Sequence, residues 1–151
     1  MSKSNPQQSQ PAVWGNTIER TAKRMKQVYK RLLKEAGVGI TVDQWVVLQL
    51  LRDRDGLSQL EIAERTDKDA PTITRIIDLL VRKGLCKRQP DPRDRRRFSI
   101  RLTAAGRAKI QEVSPVARAF RRRGWEGVSE VDLEQLMQTL NRIYQNLSKD
   151  T

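Results

Sequence analysis

Residues 72–106 constrain the fold of this chain more than any other stretch. The stretch opens with apolar residues three and four positions apart, which predicts one buried stripe along a helix: Ile73, Ile76, Ile77, Leu80 and Val81. Pro71 suits the first position of that helix, and Gly84 suits the position just past its end. The opposite face would carry polar side chains able to reach bases or phosphates: Thr72, Thr74, Arg75, Asp78 and Arg82.

Two short strands are predicted after this helix. Residues 85–89 lead into the turn-rich, basic segment PDPRDRRR, and residues 97–102 lead out of it. In the second strand Phe98, Ile100 and Leu102 alternate with polar neighbours, as expected for a half-buried strand. A helix followed by a charged β-hairpin is the pattern of a winged helix-turn-helix. We therefore predict a mainly α fold with a small β-wing.

Two earlier segments carry the capping-box pattern, in which Ser or Thr precedes Glu or Gln by three residues. Thr41 and Gln44 open one helix, and Ser58 and Glu61 open a second, shorter helix. Three residues of the shorter helix are predicted to pack inward: Leu60, Ile62 and Ala63. A turn at 66–70 then leads into the striped helix, which completes a helix-turn-helix. In such motifs the first helix crosses the DNA backbone and the second enters the major groove.

Several side chains of this motif are candidates for DNA contact. Arg75 is the best candidate for a base contact, because arginine can bind guanine O6 and N7 bidentately. Thr72 and Thr74 could touch a thymine methyl group or a phosphate. Ser58 and Gln59 lie at a predicted helix N-terminus, which suits phosphate contacts. The arginine-bearing loop could enter a minor groove and neutralise phosphates. The candidates are Ser58, Gln59, Thr72, Thr74, Arg75, Arg82, Arg93, Arg95 and Arg97. The alternative for each is ordinary solvated surface.

Charge and composition narrow the function class. Thirty Lys and Arg against 18 Asp and Glu give a net charge of +12, which predicts a polyanionic partner, either nucleic acid or an anionic membrane surface. Eleven basic and two acidic residues between 82 and 109 concentrate the excess around the hairpin. With no histidine and one cysteine, we predict no enzyme, metal site or cofactor. The absence of a spanning apolar run or signal-peptide pattern favours the cytoplasm.

The ends of the chain carry two further patterns. Residues 1–12, rich in Ser, Gln and Pro, are predicted to form a disordered tail. Heptad-like apolar stripes follow within 13–38 and 104–148: Ile18, Ala22, Met25, Tyr29, Leu32 and Ala36, then Leu133, Leu136, Leu140, Ile143 and Leu147. These helices could pack on their own domain. Pairing across a two-fold axis is favoured, because a monomer would expose both stripes beside the winged helix-turn-helix at 41–103.

The motif T-x-T-R-x-(I/V)-x-x-L-x-x-x-G-L, then D-P-x-D-x-R and L-T-x-x-G, resembles the signature of the MarR family, the multiple antibiotic resistance regulators of bacteria. The resemblance covers about 35 contiguous residues. It implies a homodimeric transcriptional regulator that binds double-stranded DNA. It also implies that Arg96 lies in or beside the minor groove and that Asp94 holds the wing arginines by ion pairing. Leu79 and Val81 depart from the family pattern, since charged residues are common there.

The same resemblance implies a small, often aromatic, effector bound between dimerisation helices and winged helix. Trp14 and Trp45 lie on the elements that would line such a site, although core packing explains them more simply. Some relatives sense peroxides through a cysteine in the N-terminal helical region. Cys86 instead opens a wing strand, which favours a buried, inert thiol.

The leading interpretation is a sequence-specific regulator, more readily a repressor than an activator, acting as a dimer on a pseudo-palindromic operator. A non-specific architectural DNA-binding protein is the alternative, because the net charge alone would suffice for it. A winged helix that binds protein instead of DNA is a third possibility. The threonines and Arg75 favour specificity, and the intact basic hairpin argues against the third possibility.

Overall fold

The computed structural model of the protein describes residues 11–150, with side chains from 13 to 149. The predicted tail at 1–12 lies outside the described residues, except that its last two residues begin the first helix. The elements in chain order are α1 (Pro11–Ala36), α2 (Val42–Asp53), β1 (Leu57–Ser58), α3 (Gln59–Thr66), α4 (Ala70–Arg82), β2 (Cys86–Pro90), β3 (Phe98–Leu102), α5 (Ala104–Gly124) and α6 (Glu130–Leu147). This mainly helical architecture with one small sheet confirms the predicted fold class.

Local sequence sets where α2 and α3 begin. The Thr41 hydroxyl accepts a hydrogen bond from the Gln44 amide at 3.1 Å, and the Gln44 side chain accepts one from the Thr41 amide at 3.2 Å. Ser58 and Glu61 form the same reciprocal pair at the start of α3, at 3.1 and 2.8 Å. Both predicted capping boxes are therefore confirmed. Each satisfies two amides that a bare helix end leaves without partners.

Helix α4, the helix predicted to enter the major groove, has its own start and stop signals. It begins at Ala70, because the Asp69 carboxylate caps it and accepts a hydrogen bond from the Thr72 amide at 2.7 Å. This start is one residue earlier than predicted, and Pro71 lies in the first turn. At the other end Gly84 has a φ of +71°, a left-handed conformation that glycine adopts without strain. The chain reverses there and leads directly into the wing.

Three strands form one antiparallel sheet in the order β1-β3-β2. β2 and β3 pair along their whole lengths and make the predicted hairpin, which with its connecting residues 91–97 is called the wing below. β1 pairs with the other edge of β3, with Leu57 opposite Ile100 and Ser58 opposite Ser99. The sequence did not indicate β1. A strand of two residues has no alternation to detect, and it exists because β3 supplies its hydrogen-bonding partners.

The chain divides into two compact units, Met1–Phe120 and Arg121–Thr151. The core of the first unit joins α2, α3, α4 and the sheet, and its largest fully buried side chains include Trp45, Leu48, Leu51, Leu57, Ile62, Ile73, Ile77, Leu80 and Ile100. The predicted inward packing of Leu60 is wrong, because this side chain is 56% exposed. Leu60 and Ile62 stand two residues apart on a helix and so point to nearly opposite sides.

α1 joins this core near its C-terminal end. Leu33 is buried there, and the Tyr29 ring lies 4.4 Å from the Phe120 ring, measured between centroids. Every side chain from residue 13 to residue 27 is exposed, including Ile18 and Met25 of the predicted heptad stripe. The N-terminal half of α1 therefore carries apolar side chains that face solvent.

The first turn of α5 packs closely against the chain that leads into the wing. Thr103 donates its hydroxyl to the Gly84 carbonyl at 2.6 Å and accepts a hydrogen bond from the Gly106 amide at 3.0 Å. A Cβ atom at Gly106 would overlap the carbonyl oxygen of Leu85. Glycine in the L-T-x-x-G motif is thus explained by the close approach of two backbones.

The second unit contains α6. Ser129 caps it and accepts a hydrogen bond from the Asp132 amide at 3.1 Å. No residue of α6 is buried. Leu136, Ile143 and Leu147 of the predicted stripe are exposed, so α6 presents apolar side chains to solvent. Neither α6 nor any other helix among the described residues is long and apolar enough to cross a membrane.

Candidate nucleic-acid interface

The outward face of α4 is the centre of the candidate interface. Thr74, Arg75 and Arg82 are exposed on it, and they line a shallow depression together with Asp78 and Leu79. Thr72, in the first turn, is half-buried. Leu79 and Val81 are the two positions that depart from the family pattern. Leu79 is an apolar residue on the exposed face, whereas Val81 packs against the core. The structure thus leaves one polar side of α4 accessible, as insertion into a major groove requires.

Ser58 and Gln59 lie at the start of α3. The Ser58 hydroxyl and amide are both used in the capping box with Glu61. The backbone hydrogen bond from Ser58 holds the pKa of Glu61 below its usual value, so a charged carboxylate occupies this helix end. Ser58 therefore serves first as a helix cap, and a phosphate approaching it would also meet the Glu61 charge.

Gln59 belongs to a network that the sequence did not indicate. The Arg88 guanidinium, on β2, donates from Nε to Gln59 Oε1 at 3.0 Å and from Nη2 to Asp78 Oδ1 at 2.6 Å. Gln59 Nε2 donates in turn to Thr74 Oγ1 at 3.1 Å. These bonds join α3, α4 and the wing. Spacing along the sequence offers no signal for the network, because Arg88 and Gln59 are 29 residues apart.

The wing owes its shape to two aspartates. Asp91 Oδ1 accepts a hydrogen bond from the Arg93 amide at 2.8 Å, and Asp94 Oδ1 accepts one from the Arg96 amide at 3.0 Å. Such bonds from an Asp side chain to the backbone two residues ahead stabilise tight turns. Asp94 also lies 4.0 Å from Arg96 Nε and 3.9 Å from Arg97 Nε. These long, exposed contacts contribute little, so Asp94 acts mainly on the backbone.

The wing arginines are directed into solvent. The Arg96 side chain is 95% exposed, whereas that of Arg88 is 26% exposed. All four arginines of the loop between the wing strands are exposed: Arg93, Arg95, Arg96 and Arg97. This exposed cationic cluster has the charge needed for a minor groove or for phosphates.

The two predicted effector residues differ in their surroundings. Trp45 is buried in the core, and its indole Nε1 has no hydrogen-bond partner among the described residues. Trp14, in the first turns of α1, is 56% exposed. Core packing therefore accounts for Trp45.

Cys86 is buried at the start of β2, and burial, followed by the nearby Asp55 carboxylate, raises the pKa of its thiol to about 12.

A pocket of about 590 Å³ lies between the C-terminal half of α1 and the start of α2, and neither Trp14 nor Trp45 lines it. Its charged lining residues are Lys26, Lys30, Lys34, Asp43 and Lys83. Burial opposes ionisation of Asp43, but Lys68 and Lys26 outweigh it and lower the pKa of this carboxyl. The Lys83 ammonium, at the C-terminus of α4, donates to the Gly39 carbonyl at 2.7 Å and to Gln44 Oε1 at 2.8 Å.

Comparison with known proteins identifies the family. Residues 40–98 match the model of the MarR family. The chain is 29% identical to the transcriptional repressor IacR of Pseudomonas putida over 137 residues, which span 91% of this chain and 79% of that protein.

Two solved structures share the fold over most of both chains. One is BpsR of Bordetella bronchiseptica, whose DNA binding is regulated by 6-hydroxynicotinic acid; it is 25% identical with a TM-score of 0.75, covering 86% of this chain and 97% of that one. The other is CouR of Rhodococcus jostii RHA1 bound to p-coumaroyl-CoA; it is 27% identical with a TM-score of 0.77, covering 85% and 90%. The protein described here belongs to the MarR family, whose members are winged-helix transcription regulators and not enzymes.

Proposed function

We propose that this protein is a homodimeric, cytoplasmic repressor that binds a pseudo-palindromic DNA operator and responds to a small anionic effector. The observation that carries DNA recognition is the exposed polar side of α4, with Thr74 and Arg75, flanked by a wing of solvent-directed arginines. The repressor relative IacR supports the sign of regulation. A non-specific architectural binder would need the charge of the wing but no polar α4 face.

In the proposed complex α4 enters the major groove and the wing reaches the adjacent minor groove. Arg75 binds a guanine edge, and Thr72 and Thr74 contact neighbouring bases or phosphates. Arg82 and the wing arginines neutralise phosphates, with Arg96 in the minor groove and Asp94 shaping the loop that carries it. Ser58 and Gln59, at the start of α3, lie near the DNA backbone in this complex. Each already forms hydrogen bonds within the protein.

Exposed apolar side chains on α1 and α6 support the homodimer. Ile18 and Met25 on α1, and Leu136 and Ile143 on α6, are each more than one-third exposed and belong to heptad-like stripes. Burying such stripes against a second copy removes apolar surface from water. Two copies related by a two-fold axis would then place two α4 helices about one DNA turn apart, roughly 34 Å.

The dimer is tested by sedimentation equilibrium. Ile143→Glu, within the α6 stripe, should shift the population toward monomer because it would bury a charge in the interface. Val131→Glu is the matched control, since Val131 is also exposed on α6 but lies outside the stripe. Equal behaviour of both variants and the wild type would exclude α6 from the interface.

DNA recognition is tested by fluorescence anisotropy with two duplexes at about 150 mM salt. One duplex is selected by the wild-type protein from a randomised library, and the other is its scrambled counterpart. We expect a preference of ~10³ or more for the selected duplex. A slope of log K against log salt near −7 corresponds to about eight phosphates neutralised per dimer. A library that yields no enriched sequence, with strong salt dependence, would instead establish the architectural binder.

Arg75→Ala should weaken binding to the selected duplex by ~1–3 kcal/mol and relax specificity at one base pair of each half-site. Arg31→Ala removes the same charge from α1, where Arg31 is exposed and pairs with Glu35, and serves as the control. An equal loss on selected and scrambled duplexes would reduce Arg75 to a phosphate contact.

The lysine-lined pocket supports the effector proposal. Lys26, Lys30 and Lys34 recur every four residues along one face of α1, and Lys83 faces them from the end of α4. A carboxylate or phosphate bound there would compete with Gly39 and Gln44 for the Lys83 ammonium. Because Lys83 directly follows the last residue of α4, this competition couples the pocket to the recognition helix. An effector changes DNA affinity only if the protein binds it unequally in two arrangements of α4, one that fits DNA and one that does not.

Aromatic carboxylates, with 6-hydroxynicotinic acid as the first probe, test this coupling. Saturating probe should change tryptophan fluorescence and lower affinity for the selected duplex. Lys30→Ala combined with Lys34→Ala should weaken the response and leave DNA binding without probe intact. If a panel of aromatic acids changes neither fluorescence nor DNA affinity, the effector part of the proposal fails, and DNA recognition stands separately.

A further inference from the structure

Two hydrogen bonds in series run from the wing to the exposed face of α4, and a third bond ties the same arginine to Asp78. Arg88 donates to Gln59 and to Asp78, and Gln59 donates to Thr74. Arg88 is partly buried and its positive charge is paired with Asp78 at 2.6 Å, which distinguishes it from the solvent-directed arginines of the wing. The role of Arg88 therefore differs from the neutralisation of phosphates.

The chemistry of the donors fixes the direction of every bond in this series. A guanidinium can only donate, so the oxygen of the Gln59 amide must face Arg88 and its NH₂ group must face Thr74. An NH₂ group also only donates, so the Thr74 hydroxyl must accept. The hydroxyl proton of Thr74 is thus not used in this bond and remains available to a second acceptor.

Four other helical threonines use their hydroxyl protons differently. Thr17, Thr21, Thr66 and Thr139 each donate the hydroxyl to the carbonyl four residues earlier, at 2.7–2.9 Å. Among the hydrogen bonds of the described residues, the Thr74 hydroxyl takes part as the acceptor from Gln59 and returns no such bond to its own helix. Thr74 is exposed, on the face that the proposed function directs into the major groove.

We propose that Arg88 is a positioning residue for sequence recognition, which acts through Gln59 to present the Thr74 hydroxyl as a hydrogen-bond donor to a base. This inference rests on the proposed DNA-binding function. In the major groove the acceptors within reach of such a donor are guanine O6 and N7, adenine N7 and thymine O4. Arg88 therefore contributes to specificity without touching DNA.

The experiment measures dissociation constants against the duplex that the wild-type protein selects from a randomised library and against every single-base-pair variant of it. The proteins are wild type, Thr74→Val, Arg88→Gln and the double variant. Thr74→Val keeps the shape of the side chain and removes the hydroxyl. We expect it to lose discrimination at one base pair of each half-site by about two- to tenfold, the contribution of one hydrogen bond.

Arg88→Gln should lose discrimination at that same base pair, and the double variant should lose no more than Thr74→Val alone. This non-additivity is the signature of two residues that act through one contact. Arg88→Lys keeps the charge but cannot donate in the same forked geometry to Gln59 and Asp78, so it should not restore discrimination. Lys87→Gln is the matched control: it removes a charge from the neighbouring exposed position of β2 and should weaken all duplexes alike.

If Arg88→Gln is not folded by circular dichroism, Gln59→Ala replaces it, because this variant breaks the link to Thr74 and leaves the Arg88–Asp78 pair in place. The proposal would be overturned if the double variant's loss of discrimination equalled the product of the two single-variant losses. An equal loss of affinity on every duplex would also overturn it. A library that yields no enriched sequence with the wild-type protein would overturn the proposed function itself, and this inference with it.

Discussion

Replacing Gly106 with alanine should destabilise the protein because two backbones meet at this residue. An added Cβ would overlap the Leu85 carbonyl oxygen, lie 3.1 Å from its carbon and lie 3.3 Å from Leu102 Cδ2. Main-chain atoms cannot rotate out of the way as a side chain can. The Leu85 carbonyl also accepts a hydrogen bond from the Thr103 amide at 3.1 Å, so α5 cannot retreat without stretching that bond.

The magnitude follows from two opposing terms. Overpacking costs about 1–3 kcal/mol, and contact with rigid backbone places Gly106→Ala at the upper end of this range. The better helix propensity of alanine offsets roughly 0.5–1 kcal/mol. The net loss in the free energy of unfolding is therefore about 2 kcal/mol, or roughly 4–8 °C in the melting temperature of a chain of this size.

Urea unfolding followed by circular dichroism measures this loss, at equal protein concentrations because association changes apparent stability. Gly15→Ala is the matched control. Gly15 lies in α1 with nothing within 4 Å of an added Cβ, so alanine there should be neutral or stabilise by up to about 1 kcal/mol. A Gly106→Ala protein with the wild-type urea midpoint would refute the argument that the approach of α5 to Leu85 requires glycine.

Three further predictions concern single residues. Cys86 should resist iodoacetamide at pH 8 in the folded protein, and peroxide should leave DNA binding unchanged, because its thiol pKa of about 12 keeps it neutral; rapid alkylation would contradict this. The pKa of Glu61 is lowered in the folded protein, so its charged form stabilises the fold above the unfolded pKa of roughly 4.3. This stability is lost as the pH falls through the folded pKa. Glu61→Gln should therefore flatten the acid side of a plot of urea midpoint against pH. Leu60→Gln should change stability by less than about 0.5 kcal/mol, whereas Ile62→Ala should cost about 2–5 kcal/mol, and similar losses would place Leu60 in the core.

The sequence was sufficient where the interactions are local. Capping boxes at Thr41 and Ser58 join atoms three residues apart, and Gly84 ends α4 through its own backbone conformation, so neighbouring residues specify these features. The apolar stripe of α4 was predictable for the same reason. The exposure of Leu60 was not, because the side of α3 that meets the core depends on how α3 packs.

The sequence alone determined the order of the helices, the basic hairpin and the polar composition of the face of α4, since each follows from residues close together in the chain. The tertiary structure alone decided which charged residues have partners. Nothing in the spacing separates Arg88 from the other arginines of the wing region, yet packing of β2 against α3 and α4 brings it to Gln59 and Asp78. Partner choice depends on distances between elements, and a periodic pattern within one element carries no information about those distances.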